Sequence, residues 1–174
     1  MRTYGILVIL GLVLAFIAFQ ARTGILRVKM RGEQPANKYM REIMQNTQLT
    51  EADATILRQR YDNAHINPSG LRYIERRPGA GNPPTSGSEV VVQYDAYLLN
   101  GKKVDSTHDR GKPDIFRVGN PDVIRGLDEA VGAMKRGEKR TLIIPWWIAY
   151  GEKGHDSIPP RATLVYEVEL VDIR

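Results

Sequence analysis

Two stretches of this chain, residues 89–99 (EVVVQYDAYLL) and 163–174 (TLVYEVELVDIR), repeat their side-chain character with a period of two. A strand sends successive side chains to opposite faces, so this alternation predicts half-buried strands of an antiparallel sheet with one face on a core. Val90, Val92, Tyr94, Ala96 and Leu98 share one face of the first stretch. Leu164, Tyr166, Val168 and Leu170 point inward on the second, with Glu167 and Glu169 outward. Asn100-Gly101 tolerates the positive φ of a tight hairpin and predicts a return strand over residues 102–105. Residues 138–144 predict a further strand. Between these lies one helix, with Asn120 as N-cap, Pro121 as first helical residue, and Val123, Ile124, Leu127 and Val131 at helical spacing. The expected class is α+β: a curved antiparallel sheet wrapped around one short helix, with a pocket between helix and concave face.

Upstream, Met40, Ile43, Met44 and Thr47 follow helical spacing, and Thr50 with Asp53 reads as an N-cap before a second helix carrying Ile56, Leu57 and Tyr61. This pair of short helices is expected to be a spacer or packing arm, with a dimerisation or partner-binding element as the alternative. Residues 65–70 (HINPSG) form a turn-rich domain boundary and residues 78–88 a loop. Residues 5–19 (GILVILGLVLAFIAF) are uncharged and apolar. They fall short of the roughly 20 residues of a comfortable membrane span, but no small-x-small cleavage site follows, because Phe19 precedes Ala21 and Phe16 precedes Ala18. An uncleaved membrane anchor, with Arg2 and Arg22 snorkelling at its ends, is the expectation. The chain therefore divides into an anchor (1–22), a basic linker with a short helical segment (23–67) and one main domain (68–174). Taken literally, the basic residues Arg22, Arg27, Lys29 and Arg31 would keep that domain cytoplasmic. An apolar segment ahead of a soluble domain more often exports it, so an extracytoplasmic, periplasmic site is expected.

Composition narrows the chemistry. A net charge of +5 raises nucleic acid as a partner, but no concentrated basic patch with readout elements accompanies it, and the basic excess after the apolar run suits anionic lipid headgroups. No nucleic-acid partner is expected. The chain has no cysteine, which removes disulfides and thiolate nucleophiles. His65, His108 and His155 lack the spacing of a metalloprotease helix, so neither metal nor cofactor is expected. A phosphate-cradling Gly-rich loop and a Gly-x-Ser-x-Gly elbow are also missing.

From Ser69 onward the motifs SGLRY, VQYDAYLLNGKKVDS, VIRGLDEAVGAMKRGEKRTLIIP, AYG and IPPRATLVYEVEL succeed one another over about 105 residues. In order and spacing they resemble the FKBP-type peptidyl-prolyl cis/trans isomerases, the macrolide-binding immunophilins. The opening Ser-Gly-Leu-x-Tyr after helices and an apolar N-terminus looks like the bacterial macrophage-infectivity-potentiator branch, here with a much shorter helical portion. The resemblance implies proline-containing polypeptides as clients and macrolides as inhibitors. It maps the family's pocket onto Tyr94, Asp105, Arg110, Phe116, Val123, Ile124, Leu127, Tyr150, Ile158 and Tyr166. Of these, Tyr94, Asp105, Phe116, Tyr150 and Tyr166 would be catalytic, and the others would bind substrate. By the same analogy the Ile124 N–H and the Tyr150 hydroxyl grip substrate carbonyls, while Asp105 pairs with Arg110 at the rim.

That activity suits the composition. Twisting an X–Pro amide against a barrier of about 20 kcal/mol breaks no bond and needs no base or nucleophile. It also removes the charge-separated resonance form, so an apolar floor of Leu127, Phe116, Val123 and Tyr166 would favour the twisted state. Three positions depart from the family pattern: Leu127 replaces a common indole, and Val104 and Asp114 replace common aromatics. A shallower, wetter pocket with weaker macrolide binding is expected. Trp146 and Trp147 stand where relatives usually carry a proline and polar residues. Either one indole packs on the core and the other on a loop, or the two form a partner-binding or membrane-interface patch. The second reading carries the rival function, a tethered binding module or accessory subunit of a membrane protein complex.

Overall fold

In the computed structural model of the protein the described residues are 49–174, all within the compact unit Ile43–Arg174. The apolar run 5–19 and the expected helix around Met40–Met44 lie outside the described residues. No helix among the described residues is long and apolar enough to cross a membrane.

Helix α1 (Glu51–Arg60) begins where the sequence predicts, the Thr50 side chain accepting the Asp53 N–H at 3.1 Å. Strands β1 (His65–Ile66), β2 (Arg72–Arg77), β3 (Glu89–Leu98), β4 (Lys103–Ser106) and β5 (Asp114–Arg117) follow. Then come helix α2 (Arg125–Gly132), strand β6 (Lys139–Ile144), a 3-10 turn at Trp146–Ile148 and strand β7 (Leu164–Ile173). The strands form one seven-stranded antiparallel sheet in the order β1-β2-β6-β7-β3-β4, with β5 pairing the first half of β3.

Strand alternation then sorts the core. Val90, Val92, Tyr94 and Ala96 of β3, Leu142 and Ile144 of β6, and Leu164, Tyr166, Val168 and Leu170 of β7 are buried together on the concave face against Leu127, Ala130 and Val131 of α2. Two β-bulges in the ladders of β3, between Val91 and Val92 opposite β7 and between Ala96 and Tyr97 opposite β4, accompany the bend of the sheet. Gly126 lets the helix seat closely. A Cβ there would lie 2.4 Å from the Ile144 methyl, so a larger residue would push α2 off β6. The convex face carries a smaller cluster, Leu57 of α1 with Leu99, Ile143 and Val165.

Two expectations are corrected. Residues 65–70 are not only a turn: His65 and Ile66 pair with Tyr73 and Arg72, extending the sheet before Gly70 turns the chain at φ +91°. The helix does not start at Pro121. The Asn120 side chain accepts the Asp122 N–H at 3.0 Å, a local turn that competes with helix, and Ile124 is extended (φ −56°, ψ 133°) so that α2 starts at Arg125.

Candidate functional site

The pocket predicted between helix and sheet exists. Tyr94, Asp114, Phe116, Val123, Ile124, Leu127, Tyr150 and Tyr166 line a cavity of about 120 Å³, with Asp122 at its exposed lip. Alternation puts Tyr94 and Tyr166 side by side on the concave face, their rings 5.1 Å apart and tilted by 44°. Phe116 enters from β5 opposite Val90. Leu127, on the first turn of α2, closes the floor at 5% exposure. Tyr94, Phe116, Leu127 and Tyr166 are apolar or present an aromatic face, as a site for an apolar ring requires, and Asp114 and Asp122 are the carboxylates of the lining.

The extended Ile124 supplies the polar contact. Its carbonyl takes the first helical N–H groups, from Leu127 at 3.0 Å and Asp128 at 3.1 Å, while its own N–H has no acceptor among the described residues. The opening of a helix leaves such donors unfilled, and this one belongs to a residue that lines the cavity. The late start of α2 is thus what exposes the donor.

The wall opposite is a polar network that a strand break creates. The edge of β3 pairs with β5 through Val92 and with β4 from Asp95 on, leaving a gap at Tyr94. Fully buried Thr107 fills it: its hydroxyl accepts the Tyr94 N–H at 2.8 Å, and its own N–H donates to the Tyr94 carbonyl at 3.0 Å. The chain then leaves the sheet and returns carrying Arg110 and Asp114. The Tyr94 hydroxyl lies 2.7 Å from Asp105 Oδ2 and 2.9 Å from Asp114 Oδ2. Arg110 bonds Asp105 Oδ1, reaches Asp114 Oδ1 at 2.8 Å, and donates to the Tyr94 oxygen at 3.4 Å. Burial above all, with Arg110 opposing and both carboxylates reinforcing, pushes the Tyr94 phenol above its usual range. Burial likewise raises Tyr150 and Tyr166, so the pocket's phenols are neutral hydrogen-bonding groups at physiological pH.

Seven of the ten residues carried over from the resemblance line the cavity directly: Tyr94, Phe116, Val123, Ile124, Leu127, Tyr150 and Tyr166. Asp105 and Arg110 join it through Tyr94. Ile158 is outside this lining; it packs half-buried on the core and borders a hollow formed by residues 153–160. Tyr150 stacks on His155 at 5.2 Å with planes 8° apart. Thr107 is the residue the sequence reading missed, and Asp114, read there only as a lost aromatic, proves to be a partner of Tyr94 and Arg110. Asp114 stands four residues after Arg110, a spacing that marks an ion pair on a helix but says nothing across a loop and strand start. Thr107 had no sequence signal, since only the gap in pairing makes its hydroxyl necessary.

The tryptophans are placed differently from an exposed patch. Trp146 is 6% exposed under the Arg161 guanidinium, 5.3 Å from its ring centroid. Trp147 is half-buried, spends its indole N–H on the Ser69 carbonyl at 2.9 Å and meets Trp146 edge-to-face. Trp146 therefore packs on the core, and Trp147 ties the 3-10 turn to the chain around Gly70, which is the first of the two arrangements the sequence allows.

Comparison with known proteins agrees with this geometry. The sequence model of the FKBP-type peptidyl-prolyl cis-trans isomerases matches residues 81–171. A protein called FK506-binding protein from Neisseria meningitidis serogroup B is 43% identical over 105 residues, 60% of this chain and 96% of the relative. FK506-binding protein 4 of Dictyostelium discoideum is 50% identical over 105 residues, but this chain spans only 28% of its length. The crystal structure of FkpA from Escherichia coli superposes with a TM-score of 0.64 at 30% identity, covering 94% of this chain and 71% of that one.

Proposed function

Because this chain belongs to the FKBP-type peptidyl-prolyl cis-trans isomerases, we propose that its cavity accelerates X–Pro bond rotation in proline-containing polypeptides. The observation that carries this reading is the Ile124 N–H, without an acceptor among the described residues, beside an apolar floor of Phe116, Val123, Leu127 and Tyr166. The proline ring enters the floor and displaces water. The Ile124 N–H takes a substrate carbonyl and the Tyr150 hydroxyl a second. These contacts fix the chain on one side of the bond while the other side turns. Loss of resonance on twisting lowers the amide's need for solvating dipoles, so a dry floor stabilises the twisted state relative to the planar one. The Tyr94–Asp105–Arg110–Asp114 network holds the wall rigid around that motion. With Leu127 and Asp114 on its lining, the cavity binds bulky macrolides weakly.

The enzyme works at a membrane, tethered through residues 5–19, and faces the extracytoplasmic side as a folding assistant. Support for the tether comes from the uncharged run and the basic residues behind it, which suit anionic headgroups; support for the extracytoplasmic side comes only from the place of that run ahead of a soluble domain.

The test is exchange between cis and trans forms of a short X–Pro peptide, followed by NMR with the full-length chain in detergent. Modest acceleration is expected, in line with the Leu127 floor, with Phe116→Ala lowering kcat/KM at least about tenfold, near 1.4 kcal/mol of transition-state binding, and Tyr150→Phe a few-fold. No acceleration by a folded chain would leave the cavity as a binding site only.

A further inference from the structure

Bond rotation asks nothing of charge, yet this pocket is charged. Asp105 and Asp114 both face the Tyr94 hydroxyl, and Asp122 stands at the lip. Against these three carboxylates the wall holds one guanidinium, that of Arg110. The Tyr94 hydroxyl has one proton, so it satisfies Asp105 or Asp114 but never both at once. Among the described residues no lysine or arginine lines the cavity itself. Arg125 sits in the neighbouring hollow with Asp122 and Asp128, one cation beside two carboxylates. Carboxylates in excess of the cations beside them favour a positive charge brought to the mouth.

We propose that Asp114 and Asp122 determine specificity, favouring polypeptides that carry lysine or arginine immediately before the proline. The inference rests on reading the cavity as the prolyl site. With the proline ring on the floor, the preceding Cα lies only about 2.9 Å (cis) or 3.8 Å (trans) from the proline Cα, so its side chain leaves at the mouth. A lysine or arginine stem can cover apolar surface such as Val123 while its charged end reaches the carboxylates. Glutamate at that position meets like charge. Because the lip is open to solvent, the preference amounts to a selectivity factor that salt weakens.

The test uses the full-length chain and three peptides that differ only in leucine, lysine or glutamate before the proline. NMR reads exchange rate and, by titration, affinity. The lysine peptide should exceed the glutamate peptide about tenfold in kcat/KM at low ionic strength, and the ratio should shrink near 0.5 M salt, where screening is short-ranged. Asp114→Asn and Asp122→Asn should each reduce the ratio and together bring it near one, while Asp114→Glu, which keeps the charge, restores preference. Asp122 is exposed, so its variant remains folded even if Asp114→Asn does not. Equal handling of lysine and glutamate, or a preference untouched by both substitutions, overturns the proposal. If no peptide is turned over, the isomerase reading fails, and the lysine-to-glutamate affinity ratio still decides this one.

Discussion

The two faces of one sheet behave differently in this protein. On the concave face the alternating residues of β3, β6 and β7 meet helix α2 and form a continuous core that ends in the cavity. On the convex face the intervening residues are largely polar. Thr141 bonds Glu167 and Arg76, Glu169 joins Arg77 and Lys139, and only Leu57, Leu99, Ile143 and Val165 are sealed under α1. The ladder is shared, so the contrast comes from what covers each face. A helix seated by Gly126 excludes water, and only there do a freed backbone donor and an apolar floor meet. The convex cluster adds stability without touching the site.

That contrast can be broken most directly by cavity formation. Leu164→Ala, at a fully buried concave position, should cost about 4 kcal/mol, and Leu57→Ala, on the convex side, about 2 kcal/mol, both read by urea unfolding. Leu57→Ala should also keep kcat/KM within about twofold. A convex loss equal to the concave one, or a large fall in activity, would make α1 part of the catalytic unit.

A smaller effect sharpens the role of the polar wall. Tyr94→Phe keeps the ring in the core but removes the hydroxyl shared by Asp105 and Asp114, so it should cost about 1–2 kcal/mol and lower kcat/KM less than Phe116→Ala does. A loss of activity as large as that of Phe116→Ala would move catalysis from floor to wall.

The smallest effect is expected with pH. Burial raises the phenols of Tyr94, Tyr150 and Tyr166, so the folded state keeps protons that the unfolded chain releases near pH 10. Their stabilisation is complete below about pH 10 and is lost as pH rises through the higher folded values. Melting temperatures should therefore fall above about pH 10 in step with tyrosinate absorbance, and Tyr166→Phe should flatten that fall. An unchanged alkaline limb in that variant would place the sensitivity on the convex ion pairs instead.

Much of this molecule was legible beforehand because its signals are local. Alternation located β3 and β7 and chose their buried faces, Asn100-Gly101 placed the hairpin turn, and Thr50 with Asp53 set the start of α1. The helix start was misplaced because Asn120 can cap a turn as well as a helix, and the identity of the residue does not say which. The tryptophans left two readings open, packing on core and loop or an exposed patch, because sequence carries no burial information for a pair of large amphipathic rings.

The sequence by itself determined the α+β class and the strand faces, which follow from periodicity, and its motif order pointed to the residues of an apolar pocket. Only the tertiary structure decided that Ile124 is extended, its N–H without an acceptor among the described residues, that Thr107 fills the gap in pairing along the edge of β3, and that Asp114 shares Tyr94 and Arg110 with Asp105. Those outcomes depend on where strand pairing lapses and on how turn and loop residues meet in space, and residue identity alone does not say which partner each group takes.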